Sequence, residues 1–156
     1  MNENDDDILT RDEVRRIIEA DQNPKHRLML ILTYSAGLRA AEIENLRPGD
    51  IDFAEDIIHI RDDEHKLERS VSLSKIIMKE IKPYIEIYRP SIWLFPGPDS
   101  VSKITEMGIE NIFRDAMLKA GIFKESGIGI LRRSIAAHLM ENGLDKKEIN
   151  RMLGKE

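Results

Sequence analysis

The residues of this sequence best suited to chemistry are a few cations in distinctive surroundings. Arg39 follows the turn signal Ala36-Gly37, Lys66 lies in a charged turn, residues 132–133 are both arginine, and Lys155 is the penultimate residue. An arginine fork suits bidentate contacts to phosphate, and a lysine can serve as a point charge or as a proton donor. These residue types predict chemistry on an oxyanion, although each cation alone is typical of an ordinary surface.

Arg39 has the most informative neighbourhood of these cations. Gly37 permits the positive φ that ends a helix, so we expect the chain to turn there and a short helix to run from about Arg39 to Leu46. The N–H groups at the start of that helix would also favour an anion. Glu42, three residues on, is close enough on one helical face to support Arg39. The alternative is an ordinary helix junction with a surface arginine.

Several kinds of site are excluded by composition and spacing. The chain has no cysteine, which excludes thiol nucleophiles, disulfides and zinc-thiolate centres. Its four histidines show no metal-ligand spacing, and we find neither a glycine-rich phosphate loop nor a serine nucleophile elbow. We therefore expect no metal and no cofactor.

The distribution of charge along the chain bears on whether nucleic acid can be a partner. The net charge of −5 argues against nucleic acid, but six of the 29 acidic residues fall within the first 13 positions. The rest of the chain is neutral overall and can carry a basic face. We expect residues 1–8 to be an acidic flexible tail. No apolar run approaches the length of a membrane span and no signal peptide is evident, so we expect a cytoplasmic protein without membrane contact.

The elements that must position these cations are mostly helical. Alternating patterns predict a small three-stranded antiparallel sheet near residues 51–53, 57–60 and 70–73, with a charged hairpin turn before the last strand. Helical periodicity and capping signals predict the remaining elements near residues 10–20, 24–37, 39–46, 74–88, 105–120, 131–142 and 145–153. The fold class is therefore α+β, mainly α. Tyr34, Tyr84 and Tyr88 fall on these helices and are predicted to be structural.

The order of the segments resembles the catalytic domain of the tyrosine recombinases, the phage integrases and Xer-type resolvases. The resemblance covers residues 8 to 155, almost the whole chain. Its first conserved box corresponds to residues 32–46 and 49–52, and its second box to residues 131–134, 137–139, 141–143 and 149–154. The segments 9–14, 68–73 and 94–96 also fit. Residues 9–156 are thus identified as an integrase-like catalytic domain without its C-terminal tyrosine segment.

The resemblance implies a site for strand transfer on double-stranded DNA, without metal or ATP and without a small-molecule substrate. Arg39 and Arg132 match the two arginines that hold the non-bridging oxygens of the scissile phosphate. Glu42 matches the acid that supports the first arginine, and Lys66 the hairpin lysine that acts as general acid. Arg133 is expected at the DNA beside Arg132. Other recombinase protomers on the DNA are further expected partners.

Three departures from the family pattern bear on activity. Gly129 occupies the first position of the HxxR motif, and Lys155 stands where the second box has histidine, so it can donate a proton but cannot accept one as neutral imidazole does. The nucleophilic tyrosine is expected beyond the last residue, Glu156. We therefore expect a recombination domain that lacks its nucleophile. The alternatives are a catalytically inactive integrase remnant or regulatory DNA-binding module, and a helical protein-interaction domain without a DNA role.

Overall fold

The computed structural model describes residues 8–154 and confirms the predicted α+β, mainly α architecture. Its helices are α1 (Arg11–Ala20), α2 (Pro24–Ala36), α3 (Ala40–Glu44), α4 (Lys75–Tyr88), α5 (Glu106–Lys119), α6 (Gly129–Glu141) and α7 (Lys146–Leu153). A 3₁₀ turn, Pro48–Asp50, precedes strands β1 (Ile51–Asp52), β2 (Ile57–Arg61) and β3 (Leu67–Ser72).

The three strands form one antiparallel sheet in the order β1-β2-β3, as the alternating pattern predicts. Ile58 of β2 pairs with Ile51 on one side and with Val71 on the other. These three side chains face the core, and the register of β2 against β3 shifts between Ile60 and Arg61. The charged turn of the β2–β3 hairpin extends beyond the sheet. One face of β3, which carries Arg69 and Val71, is buried.

Helix α2 is the central element of the fold. It buries residues around most of its circumference, including Leu28, Met29, Leu30 and Leu32, and it packs against α1, α4 and α6. A helix that is apolar almost all round is expected in such a position. Helix α7 adds a smaller apolar cluster with the inner face of α6, which holds the C-terminal end of the described chain beside the end of α2.

The helix termini follow the capping signals with two differences. Thr10 and Glu13 form the expected capping box, and Gly37 ends α2 with φ 64°. Helix α6 begins at Gly129, two residues before the predicted start, because the Glu110 carboxylate accepts the Ile128 N–H at 2.8 Å and satisfies a donor at the helix entry. Helix α3 is shorter than predicted.

The chain is attached to the fold from its first described residues. The Leu9 N–H donates to Ser134 Oγ at 2.7 Å, and His138 Nε2 donates to the Leu9 carbonyl at 2.8 Å. The Lys124 ammonium donates to the Ile8 carbonyl at 2.9 Å, so Ile8 belongs to the folded part rather than to the acidic segment before it. Residues 1–7, for which the sequence predicts a flexible tail, lie outside the described residues.

Candidate functional site

The Gly37 turn sets the position of Arg39. The backbone passes through the left-handed region at Gly37, and Arg39 becomes the residue that precedes α3. Its side chain is 34% exposed, and one guanidinium nitrogen lies 3.1 Å from the Glu42 carboxylate. The predicted pairing of Arg39 with Glu42 is therefore present in the structure.

The helix start beside Arg39 is short, and Glu42 occupies one of its N–H groups. Helix α3 has five residues, too few for a substantial dipole, and the Arg39 N–H already donates to Glu42 at 2.9 Å. Because Glu42 caps its own helix in this way, the Arg39 N–H is not available to an anion, and the contribution of the other helix N–H groups stays a prediction.

A second arginine, Arg69, makes the stronger contact with Glu42. Two Arg69 nitrogens donate to the two Glu42 oxygens at 2.7 and 3.0 Å, and both side chains are more than nine-tenths buried. Sequence reasoning missed Arg69 as a site residue. Its signal was the alternation along β3, which places Arg69 on the same face as the buried residues Val71 and Leu73.

Glu68 completes this network from the exposed side. Its carboxylate contacts the Arg69 guanidinium and lies 3.6 Å from Arg39. A hydrogen bond with Glu42 and partial burial raise the pKa of Glu68. Burial alone would also raise the pKa of Glu42, but hydrogen bonds from Arg69 and the Arg39 backbone, with the charge of Arg69, outweigh it and lower the pKa of Glu42 to about 2.

Arg132 approaches the same turn from α6. One of its terminal nitrogens donates to the Gly37 carbonyl at 2.6 Å, and the other lies 3.4 Å from the Gly154 carbonyl. The residue is buried, so its stem is fixed by the surrounding core. Arg132 therefore ties α6 to the turn that carries Arg39 and to the end of α7, and the two predicted phosphate-binding arginines meet at one turn.

The end of α7 closes this region. Arg69 Nε donates to the Met152 carbonyl at 2.8 Å, and a Cβ added to Gly154 would lie 3.0 Å from an Arg69 nitrogen. Gly154 thus passes between Arg69 and Arg132 where a larger residue would crowd the guanidinium. Lys155, a predicted site residue, follows immediately but lies outside the described residues.

Lys66 and Arg133, the other predicted site residues, stand apart from this network. Lys66 lies in the hairpin turn with three quarters of its side chain exposed, and its ammonium is 3.3 Å from Glu64. Arg133 is exposed on α6 and donates to Ser126 Oγ at 2.9 Å. Among the described contacts, neither residue bonds to Glu42 or Arg69, so the structure does not join them to this network.

The tyrosines occupy structural positions. The Tyr34 hydroxyl donates to His138 Nδ1 at 2.6 Å, and the Tyr84 hydroxyl donates to the Leu94 carbonyl at 2.8 Å. Tyr88 stacks on Tyr84 at a centroid distance of 5.0 Å. Among residues 8–154 we also find no cluster of His, Asp and Glu able to hold a metal ion, and no helix long and apolar enough to cross a membrane.

The sequence model of the Phage integrase family matches residues 7–156, which is almost the entire chain. The chain belongs to the phage integrase family. Among curated relatives, the tyrosine recombinase XerD of Oceanobacillus iheyensis is 32% identical over 160 residues, and the tyrosine recombinase XerA of Pyrococcus horikoshii is 29% identical over 153 residues. These matches cover 95% and 94% of this chain but 53% and 52% of the relatives, so the chain spans about half the length of the curated relatives it matches.

Solved structures of tyrosine recombinases share the fold. The crystal structure of XerA recombinase superposes with a TM-score of 0.86 at 28% identity, covering 94% of this chain and 55% of the other. XerH recombinase bound to its difH substrate superposes with a TM-score of 0.81 at 20% identity, covering 94% and 47% of the two chains. The tyrosine recombinase fold of this integrase-family domain is thus established.

The Glu42 network predicts an acid-sensitive component of stability in this integrase domain. The pKa of Glu42 is about 2 in the folded protein against an ordinary value of 4.5, so its contribution is present above pH 4.5 and is lost as the pH falls toward 2. The free energy of unfolding from urea titrations should therefore fall between pH 4.5 and pH 2. Glu68 reduces this loss slightly, because its raised pKa makes its own contribution to stability grow as the pH falls. Glu42→Gln should flatten the profile, whereas Glu55→Gln, at an exposed position, should leave it unchanged. Parallel profiles for all three proteins would contradict the prediction.

Proposed function

We propose that this domain holds the scissile phosphate of duplex DNA during site-specific recombination by a tyrosine-based strand transfer. The observation that carries the proposal is the convergence of two arginines on one turn. Arg132 donates to the Gly37 carbonyl, and Arg39 follows two residues later with a third of its side chain exposed. Two guanidinium groups fixed by their surroundings suit the two non-bridging oxygens of a phosphodiester.

The network around these arginines supports a pre-organised anion site. Among the described residues it comprises the guanidinium groups of Arg39, Arg69 and Arg132 and the carboxylates of Glu42 and Glu68. Glu42 is held by Arg69 and in turn orients Arg39, so little reorganisation is needed when a phosphate arrives. An incoming phosphate would displace the Glu68 carboxylate from its 3.6 Å contact with Arg39.

The remaining roles follow from the chemistry of strand transfer. A tyrosine hydroxyl gives its proton to a base and attacks phosphorus. The new bond forms a 3′-phosphotyrosyl link, the bond from phosphorus to the 5′ oxygen breaks, and that oxygen leaves with a proton from an acid. We assign the proton donation to Lys66, whose exposed position in the hairpin turn allows it to move to the DNA, and a phosphate contact to Lys155. The Tyr34 and Tyr84 hydroxyls are held in hydrogen bonds and Tyr88 stacks on Tyr84, so we assign the attacking hydroxyl to none of them. DNA and other protomers on it are the proposed partners.

A second candidate function is DNA binding without strand transfer. It is favoured by Gly129, which leaves the first position of the HxxR motif without a side chain for proton transfer or phosphate contact. Because none of its three tyrosines is the attacking residue, the chain is first fused at its C-terminus to the tyrosine-bearing segment of a relative. Incubation of this fusion with a nicked duplex that traps covalent intermediates then separates the two candidates. A protein–DNA adduct that survives denaturation supports strand transfer, and its absence despite tight binding supports the DNA-binding module.

Replacing Arg39 with Met should weaken binding to duplex DNA about tenfold, since a charge-assisted hydrogen bond to a phosphate is lost. The salt dependence should change as well, because one fewer phosphate contact lowers the slope of log K against log salt by about one. The measurement is fluorescence anisotropy of a labelled duplex between about 50 and 200 mM salt.

Arg114→Met is the matched control for Arg39→Met. Arg114 carries the same charge on α5, is 60% exposed and has only a 4.0 Å contact to Asp115 among the ion pairs of the described residues. Its loss should affect binding much less. Equal affinities and equal salt slopes for the two variants would contradict the phosphate-binding role of Arg39, and a lack of any duplex binding by the parent chain would contradict the proposed function.

Gly129→His should fit the fold and strengthen DNA binding at low pH. The position is exposed at the first residue of α6, and an added Cβ would have only an Arg133 nitrogen nearby, at 3.5 Å. A protonated imidazole there adds a donor for a phosphate oxygen, so the duplex affinity should rise between pH 8 and pH 6 more than it does in the parent. Gly129→Gln is the uncharged control. Identical pH profiles for both variants would show that position 129 does not face the DNA.

A further inference from the structure

We propose that a second oxyanion site, separate from the Arg39 network, lies at the base of the β2–β3 hairpin and takes a phosphate group. A surface cavity of about 440 Å³ is found there. The donors that line it are Arg47, Arg61, His65 and Ser91. A water molecule occupies about 30 Å³ of liquid, so the cavity has room for a phosphate ion with part of its hydration shell.

Arg47 is the main reason to expect a ligand. Its guanidinium makes no hydrogen bond or ion pair with any residue between 8 and 154, and its Nε is buried without a partner. A half-buried guanidinium in this state is costly unless an acceptor arrives. The guanidinium carbon lies 5.0 Å from the centre of the Trp93 ring, and this cation–π contact holds the fork at the cavity.

Arg61 supplies the second fork. Its Nε donates to the buried Asp50 carboxylate at 2.7 Å, which fixes the orientation of the group. Its two terminal nitrogens have no acceptor within the described part of the chain, so they remain available at the cavity. The other Asp50 oxygen accepts the Arg47 backbone N–H at 3.0 Å, and this carboxylate is therefore fully engaged.

The acidic residues of the adjoining hairpin turn do not fill the site. Asp62 accepts the backbone N–H groups of Glu64 and Lys66 with one oxygen, both at 2.9 Å. Asp63 accepts the Asn45 side-chain amide, and the Glu64 carboxylate pairs with Lys66. Two arginines thus face one buried carboxylate in the cavity wall, which leaves a net positive charge for an oxyanion.

The phosphate has two chemical sources, a backbone phosphate of DNA or a soluble phosphate ion. A DNA phosphate as the ligand depends on the proposed function, whereas the oxyanion site itself is argued independently of that function. Trp93 provides a direct signal, since it is the only tryptophan of the chain and touches the guanidinium in question. Ligand binding at Arg47 should therefore change the Trp93 fluorescence.

The first arm titrates the protein with inorganic phosphate at constant ionic strength, with chloride as the matched salt. We expect a saturable fluorescence change with phosphate and none with chloride. Calorimetry then compares the parent with Arg47→Met and Arg47→Lys. It replaces fluorescence because both substitutions change the contact between residue 47 and Trp93, and so change the Trp93 fluorescence even without ligand. Affinity should fall about tenfold or more for Met and less for Lys, while Arg114→Met leaves it unchanged. An equal response to both salts, or undiminished affinity of Arg47→Met, would overturn the site.

The second arm measures duplex DNA binding by the same variants. A salt slope reduced by about one in Arg47→Met, but not in Arg114→Met, identifies the DNA backbone as the source. An unchanged slope together with lost phosphate affinity overturns the DNA source and identifies soluble phosphate. If the parent chain binds phosphate but no duplex, the proposed function fails while the oxyanion site stands, so the two failures are distinguishable.

Discussion

Replacing Arg69 with Met is expected to destabilise the domain by about 3–5 kcal/mol, the effect of breaking a buried ion pair by removing one partner. Arg69 donates to both oxygens of Glu42, and the Glu42 side chain is only 7% exposed. Without Arg69, the buried carboxylate keeps its contacts to Arg39 and its hydrogen bond with Glu68, which bring it much less positive charge. The Met152 carbonyl at the end of α7 also loses its donor.

A double variant separates the loss of charge balance from the loss of packing. Glu42→Gln removes the charge that Arg69→Met would strand, so the double variant should be less destabilised than the sum of the two single variants. The free energy of unfolding from urea titrations gives each value, and Arg114→Met at an exposed position should change it by less than about 0.5 kcal/mol. A cost below about 1 kcal/mol for Arg69→Met would contradict a structural role for this ion pair.

Arg69→Met should also weaken DNA binding at the Arg39 site. Glu42 orients Arg39, and Arg69 orients Glu42, so the variant should lose duplex affinity even under conditions where it remains folded. Arg69→Lys keeps the charge but cannot make the bidentate contact, and it should recover stability only in part. Arg69 is thus a positioning residue in the proposed function rather than a contact to DNA.

Gly37→Ala is expected to cost about 2–5 kcal/mol from two separate sources. The backbone at Gly37 has φ 64°, where a side chain is disfavoured by about 1–2 kcal/mol. An added Cβ would also overlap Leu153 Cδ2, so the Leu153 side chain must move within its buried cluster. Because Arg132 bonds to the Gly37 carbonyl, this displacement should weaken DNA binding as well.

Other glycines of the chain provide the matched series. Gly143 has φ 97° and open space around its Cβ position, so Gly143→Ala should show the conformational cost alone. Gly49 has neither a positive φ nor a neighbour, so Gly49→Ala should be close to neutral. The difference between the Gly37 and Gly143 variants in urea unfolding measures the steric part. Equal costs would mean that α7 does not pack on the turn as described.

The elements of the fold could be predicted from the sequence because their signals are local. Capping at Thr10, the left-handed stop at Gly37 and the alternation of the small sheet each depend on a few neighbouring residues, and all three appear in the structure. Helix α4 shows a local signal that tertiary packing overrides, namely a proline within the helix. It continues through Pro83 without division, since tertiary packing of Ile81 and Tyr84 on the core outweighs the missing hydrogen bond.

Some features of the candidate site could be predicted from the sequence, and others required the tertiary structure. Sequence alone determined the family, the Gly37 turn and the pairing of Arg39 with Glu42, since these depend on spacing within one segment. The resemblance implied that Arg39 and Arg132 serve one phosphate. Only the tertiary structure decided that Arg132 is held by the Gly37 carbonyl, 95 residues away, and that Glu42 is held chiefly by Arg69 from a strand 27 residues away. The physical reason is that burial selects partners across the fold. A carboxylate removed from water must find its strongest available donor, and spacing along the chain does not identify which distant guanidinium the core will bring to it.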